Sequence, residues 1–253
     1  MVIMTQKLIT LKKKYYIYLD RKARHIAHKL SKKQAVTKLL LDYIKELYES
    51  AKVANLQNKR FESAYHNPIS SELEFLVARV LYHYSNFKKT DWKIYLRRQV
   101  GKTAPDIRIE SNNKTRAIIE VKAKAGWIQP FFSKERYVKD MKKLRTGESE
   151  SDPGDLIQKV KKQLVKYYKT YNVKPEQVFV LLPSLKSVHR KKSTQQIKDY
   201  ELQFKKNSGL PQKSLILLSN NPLLDLSSKP SRKQYQVTNN FEKFVELLNK
   251  CSK

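Results

Sequence analysis

TAPDIRIESNNKTRAIIEVKAKAGW, running from Thr103 to Trp127, carries the strongest local pattern in the chain. Pro105 and Asp106 open a short alternating segment, Asp106-Ile107-Arg108-Ile109. Ser111-Asn112-Asn113-Lys114 has turn chemistry, because asparagine tolerates the left-handed backbone of tight turns. Ala117-Ile118-Ile119 then leads into Glu120-Val121-Lys122. The pattern predicts a β-hairpin with a longer loop. Folded about Asn112 and Asn113, it sets Asp106 roughly opposite Ile119 and so beside Glu120. Side chains alternate along a strand, so Glu120 and Lys122 share one face while Ile119 and Val121 take the other. Two carboxylates and one ammonium then converge at the end of a sheet. Two hard oxygen ligands on a rigid support suit Mg²⁺. A lysine beside them can orient or deprotonate a water and can steady charge developing on phosphorus. The plainer alternative is a surface hairpin with a Glu120–Lys122 ion pair.

Composition narrows the partners. The 253 residues suffice for one large domain or two small ones, and 40 % hydrophobic residues suffice for a sizeable core. Lysine and arginine outnumber the acids 53 to 23, a net charge of +30 spread along the whole chain. A field of that sign favours a polyanion, with nucleic acid the first choice; the alternative is a basic protein with solvated faces. A single cysteine, Cys251, excludes an internal disulfide framework and a cysteine-rich zinc site, and fits a reducing cytoplasm. No apolar run near the start is long enough for a signal peptide or a membrane span. With only five glycines there is no glycine-rich phosphate loop, which argues against ATP-driven chemistry.

Pro105-Asp106, a gap of thirteen residues, then Glu120-Val121-Lys122 resembles the PD-(D/E)XK nuclease superfamily. The resemblance covers roughly residues 70–220 and implies an α/β fold: a restriction-endonuclease-like mixed sheet flanked by helices, with an N-terminal helical extension. Residues 1–60 would form that arm, or a DNA-binding or dimerisation module, and residues 61–253 the nuclease domain. It further implies that Asp106 and Glu120 ligate Mg²⁺ together with the Val121 carbonyl and Glu74, and that Lys122 positions or activates the attacking water. Such a lysine works best with its pKa lowered by metal and desolvation. The expected substrate is double-stranded DNA. Among such nucleases the chain looks most like a type II restriction endonuclease, acting as a homodimer and paired with a cognate methyltransferase in the same system. Three rivals remain: a Holliday-junction resolvase, a viral or plasmid repair nuclease, and a DNA-binding regulator that does not cut.

The flanks supply further candidates. Tyr15-Tyr16-Ile17-Tyr18-Leu19 reads as a β-like run, and Ala23, Ile26, Ala27 and Leu30 keep helical spacing. Ser31 with Gln34 has a capping-box signature for a second helix bearing Val36, Leu40, Ile44 and Leu47. Strand, short helix and long helix are weakly similar to a ribbon-helix-helix DNA-binding module; the alternative is a helical arm packed on the core. Ser71 with Glu74 has the capping signature of the next helix, so Glu74 has two readings, cap or metal ligand. Residues 91–99 read as a strand, in which Arg97 and Arg98 face either phosphate or solvent. Lys124 continues the Lys122 face. Gly126–Phe132 either packs on the core or contacts DNA bases. Residues 133–154 read as a charged mobile loop. Gln163 and Tyr167, four apart on a helix, match a Q-x-x-x-Y pattern seen in part of the superfamily and can reach one place, to contact DNA or support the metal ligands. Lys159, Lys162 and Lys166 on that helix either track a phosphate backbone or are merely solvated. Val178–Pro183 and Leu215–Leu218 are continuous apolar runs expected to be buried strands, and Phe241, Phe244, Val245 and Leu248 a closing amphipathic helix. His189 has no visible partner.

Overall fold

The computed structural model describes residues 2–54, 69–124, 126–132, 153–186, 196–228 and 230–251. A tight turn at Asn112 and Asn113 closes the hairpin. Both residues have positive φ, 51° and 57°, the signature of a two-residue type I′ turn, whose twist matches that of the flanking strands. The hairpin loop is therefore shorter than the sequence suggests. Asp91 braces the tip, accepting hydrogen bonds from Ser111 Oγ at 2.7 Å and from the Asn112 backbone N–H at 2.8 Å.

Five strands follow in the order β1 (Lys93–Leu96), β2 (Ile107–Ser111), β3 (Lys114–Val121), β4 (Val178–Leu182) and β5 (Leu215–Leu217). The first three form an antiparallel meander; β4 and β5 add parallel to β3. The sheet is thus mixed, and both faces are covered. On one lie α1 (Val2–Ser31), α2 (Thr37–Ala54), α3 (Ser70–Lys88) and α6 (Asn240–Cys251); on the other, α4 (Pro153–Tyr171), α5 (Ile197–Ser208) and the 3₁₀ turn Gly126–Phe131. Strand alternation divides the core accordingly. Ile119, Val121, Phe179, Leu181 and Ile216 pack on the first side; Ile118, Val178, Val180, Leu182 and Leu217 pack on the second. The order helix, three strands, helix, strand, strand, helix was expected; α5 between β4 and β5 extends it. Ile128, Phe131 and Phe132 are buried, so that segment packs on the core. The expectations for residues 133–152 and His189 lie outside the described residues. Among the described residues, no helix is long and apolar enough to cross a membrane.

The N-terminal segment corrects the sequence reading. Tyr15–Leu19 lies inside the 30-residue helix α1 and is not a strand, so the ribbon expected of a ribbon-helix-helix module is not formed. The reason is periodicity: Leu19, Ala23, Ile26, Ala27 and Leu30 are buried on one stripe. Tyr15 and Tyr16 extend that stripe, whereas Ile17 and Tyr18 face out. Ser31 does not cap α2 either. It stays in the last turn of α1, with its hydroxyl donating to the His28 carbonyl at 2.8 Å. The cap of α2 comes from Glu242 of α6, which accepts from the Val36 N–H at 2.6 Å, the Thr37 N–H at 2.8 Å and the Thr37 hydroxyl at 2.5 Å. A carboxylate there also complements the helix dipole. Likewise Ser71 makes no capping bond for α3; its hydroxyl donates to Glu72 at 3.0 Å.

Candidate functional site

The hairpin brings its acids level by means of one irregularity. Pairing runs from Ser111↔Lys114 to Glu110↔Thr115, then shifts by one residue so that Ile109 faces Ala117 and Ile107 faces Ile119. Arg116 is the extra residue of this bulge. Continued one step, the shifted register sets Asp106 opposite Glu120, where the unshifted hairpin would have set it opposite Ile119. The Val121 N–H donates to Asp106 Oδ2 at 2.9 Å and fixes that carboxylate across the strand gap.

Lys122 leaves the end of β3 with its N–H donating to the Leu181 carbonyl at 2.9 Å. Its ammonium bridges both acids, 2.5 Å from Asp106 Oδ2 and 2.8 Å from Glu120 Oε2. The other Glu120 oxygen, Oε1, accepts from the Tyr167 hydroxyl at 2.7 Å. Glu120 is 2 % exposed. Burial, then the Asp106 charge, push its pKa above the usual carboxylate range. Burial opposes the charge on Lys122, but Glu120 and Asp106 outweigh it and hold the lysine above its usual value. With the two acids facing it directly, the ammonium is held in its charged form. Tyr167 is raised by burial and by Glu120, and Gln163 acts on it in the opposite sense. Those two residues do meet at the site, Tyr167 on the buried face of α4 and Gln163 at its margin. Tyr171, one turn on, donates to the Thr103 carbonyl at 3.0 Å and ties the segment before Asp106 to α4.

Glu74 projects from the second turn of α3 and is 3 % exposed. Its partner is Arg97, whose Nε and Nη2 reach the two carboxylate oxygens, the latter at 2.8 Å. Burial raises the Glu74 pKa, opposed by Arg97; Asp106 and Lys122 also bear on it. Arg97 sits just past β1 with φ 49° and donates its own N–H to the Asp106 carbonyl at 2.9 Å. That left-handed backbone costs a non-glycine residue roughly 1–2 kcal/mol. Neither Arg97's pairing nor Tyr171's bond was anticipated. Tyr171 had a signal, lying four residues past Tyr167 on one face; Arg97 had none.

Two other candidates lie apart. Arg98 stacks over the Tyr95 ring at 5.0 Å, and Lys124 is exposed beyond the strand. Arg108 shares the Asp106 face, pairs with Glu110 and lies over the Tyr95 ring at 4.2 Å. Lys159, Lys162 and Lys166 are exposed on the outer face of α4.

The donors are of the kind a hard divalent cation takes: buried carboxylate oxygens gathered at a strand end, now shared by ammonium and guanidinium groups. Among the described residues, no group of three or more His, Cys, Asp or Glu is arranged to hold a metal ion. Fold and site together define an α/β protein with a buried acid–acid–lysine centre at the end of the central strand of a mixed sheet. No family model, curated protein or solved structure matches the chain.

Proposed function

We propose that the chain is a Mg²⁺-dependent DNA endonuclease of the PD-(D/E)XK kind, with a restriction-endonuclease-like core, hydrolysing phosphodiester bonds in double-stranded DNA. The observation that carries this reading is the Lys122 ammonium bonded to both Asp106 and Glu120 at the end of β3. Asp106, Glu120 and the Val121 carbonyl would hold Mg²⁺, which when bound supplies Lewis-acid stabilisation of charge on the phosphate oxygens. The chain's own residues do the rest. The Val121 N–H orients Asp106, and Tyr167 orients Glu120. With the carboxylate charge engaged by such a cation, burial would weigh against the charge on Lys122 and would favour its neutral amine. Its amine can then orient the attacking water and accept its proton. The net charge of +30 and the exposed lysines of α4 supply attraction for the phosphate backbone. The version we favour is a type II restriction enzyme, working as a homodimer beside a methyltransferase.

Purified protein incubated with plasmid DNA, with and without Mg²⁺, tests this beside Lys122→Ala. Discrete Mg²⁺-dependent fragments, reduced about 10²–10³-fold in the variant, are expected. A smear or nicking alone would keep a nuclease but shift it to the repair class. A second reading, a DNA-binding regulator that does not cut, is favoured by Glu74 being paired with Arg97 so that no third acid stands free among the described residues. Gel retardation without cleavage in any divalent metal would select it.

A further inference from the structure

Arg97 is tied to two of the three acids at this centre. Its side chain grips Glu74 with both nitrogens of the fork, and its backbone N–H holds the Asp106 carbonyl. Glu74 is buried, yet the Arg97 side chain is 53 % exposed. The cation thus reaches in from solvent onto a buried carboxylate. A guanidinium fork fits phosphate as well as it fits carboxylate.

Charge counting points the same way. Glu74, Asp106 and Glu120 face Arg97 and Lys122, which leaves one negative charge. A divalent cation added to that set would leave one positive charge in excess. While Lys122 keeps its proton, before it takes part in activating water, withdrawing Arg97 from Glu74 brings the centre with the same cation to neutrality.

We propose that Arg97 is an exchangeable clamp: a DNA phosphate draws its guanidinium off Glu74, and the released carboxylate joins Asp106 and Glu120 in holding the divalent cation. This rests on the nuclease reading of the site. It adds that DNA and metal bind cooperatively, each strengthening the other by the same factor. Arg97 is then a positioning residue, and the metal set is complete only when DNA is in place.

The test reads Mn²⁺ binding to the full chain by the electron paramagnetic resonance of free Mn²⁺, with no turnover required. Without DNA, Arg97→Gln should bind Mn²⁺ about tenfold more tightly than the wild type. Adding Glu74→Gln to that variant should return it to the wild-type level. A short phosphorothioate duplex should tighten Mn²⁺ binding by the wild type and add little in Arg97→Gln. Arg97→Lys keeps a cation at Glu74 and should stay near the wild type. Equal affinities for wild type and Arg97→Gln, or equal tightening by the Lys and Gln variants, would overturn the clamp. Should Arg97→Gln fail to fold, Glu74→Gln alone decides: it must abolish the tightening that the duplex gives the wild type, and an undiminished effect overturns the proposal. Coupling in a chain that never cleaves would sink the nuclease and leave the clamp; cleavage without coupling would do the reverse.

Discussion

Two charged clusters in this molecule are built in opposite senses. At the end of β3, two acids share the ammonium of Lys122, and Glu120 is almost fully buried. Between α1 and α3, one acid, Asp20, takes two donors, Arg79 and His83, the latter at 2.9 Å. The Asp20 side chain is 31 % exposed. Their pKa shifts diverge. Burial dominates at Glu120 and raises it. At Asp20 burial also opposes ionisation, but hydrogen bonds from Arg79 and His83 outweigh it and lower the value. The first cluster stores unneutralised negative charge in a dry place, which is costly for folding and useful for binding a cation. The second is already balanced and acts as a stitch between helices.

The largest effect should come from removing the shared cation. Lys122→Met leaves Asp106 and Glu120 facing each other without a counter-charge, at a cost of about 3 kcal/mol near neutral pH. Urea denaturation measures it. Because Lys122 is raised in the folded state, its contribution is fully present below the unfolded value of 10.5 and is lost as pH rises through the folded value. The deficit of the variant should also shrink as pH falls, because Glu120, held above its ordinary value by burial and by Asp106, takes up a proton in the folded chain before it does in the unfolded one. A deficit that stays constant from pH 8 to pH 4 would show that the acids are not the source of the cost.

Tyr167→Phe sharpens the same comparison at smaller scale. It removes the donor to Glu120 Oε1, a hydrogen bond to a charged group worth about 1.5–3 kcal/mol. That bond works against the rise in the Glu120 pKa, so its loss should raise the value further. Mn²⁺ binding, which needs the ionised acid, should then move its pH midpoint upward. An unchanged midpoint would mean that Tyr167 packs beside Glu120 without tuning it.

The hairpin was legible because its determinants are local. Asn112 and Asn113 specify the turn, alternation specifies the faces, and Glu120 and Lys122 lie two apart on one strand. The bulge at Arg116 left no trace in the pattern, yet it decides which residue Asp106 meets. Tyr15–Leu19 misled because aromatic and β-branched residues suit strands, whereas tertiary packing of the stripe from Leu19 to Leu30 imposes a helix. The cap expected of Ser31 failed because Glu242, more than two hundred residues on, took over the start of α2, and that of Ser71 because α3 begins one residue before it. Glu74 was placed on the correct helix, but its pairing depends on a chain reversal at Arg97 that no periodicity encodes.

The smallest effect should come from the balanced cluster. Asp20→Asn keeps the shape and removes only the charge, and a partly exposed ion pair contributes little, about 0.2–1 kcal/mol. Its stabilisation has the opposite pH sense to that of Lys122. Asp20 is lowered in the folded state, so the contribution is present above the unfolded value of 3.8 and is lost as pH falls through the folded value. Paired denaturation curves for wild type and Asp20→Asn should therefore differ slightly at pH 7 and converge in strong acid, while Mn²⁺ affinity stays the same. The unchanged metal affinity separates the two clusters. If Asp20→Asn weakened Mn²⁺ binding as Tyr167→Phe does, α1 and α3 would be carrying strain into the site through Glu74, which lies on the same helix as Arg79.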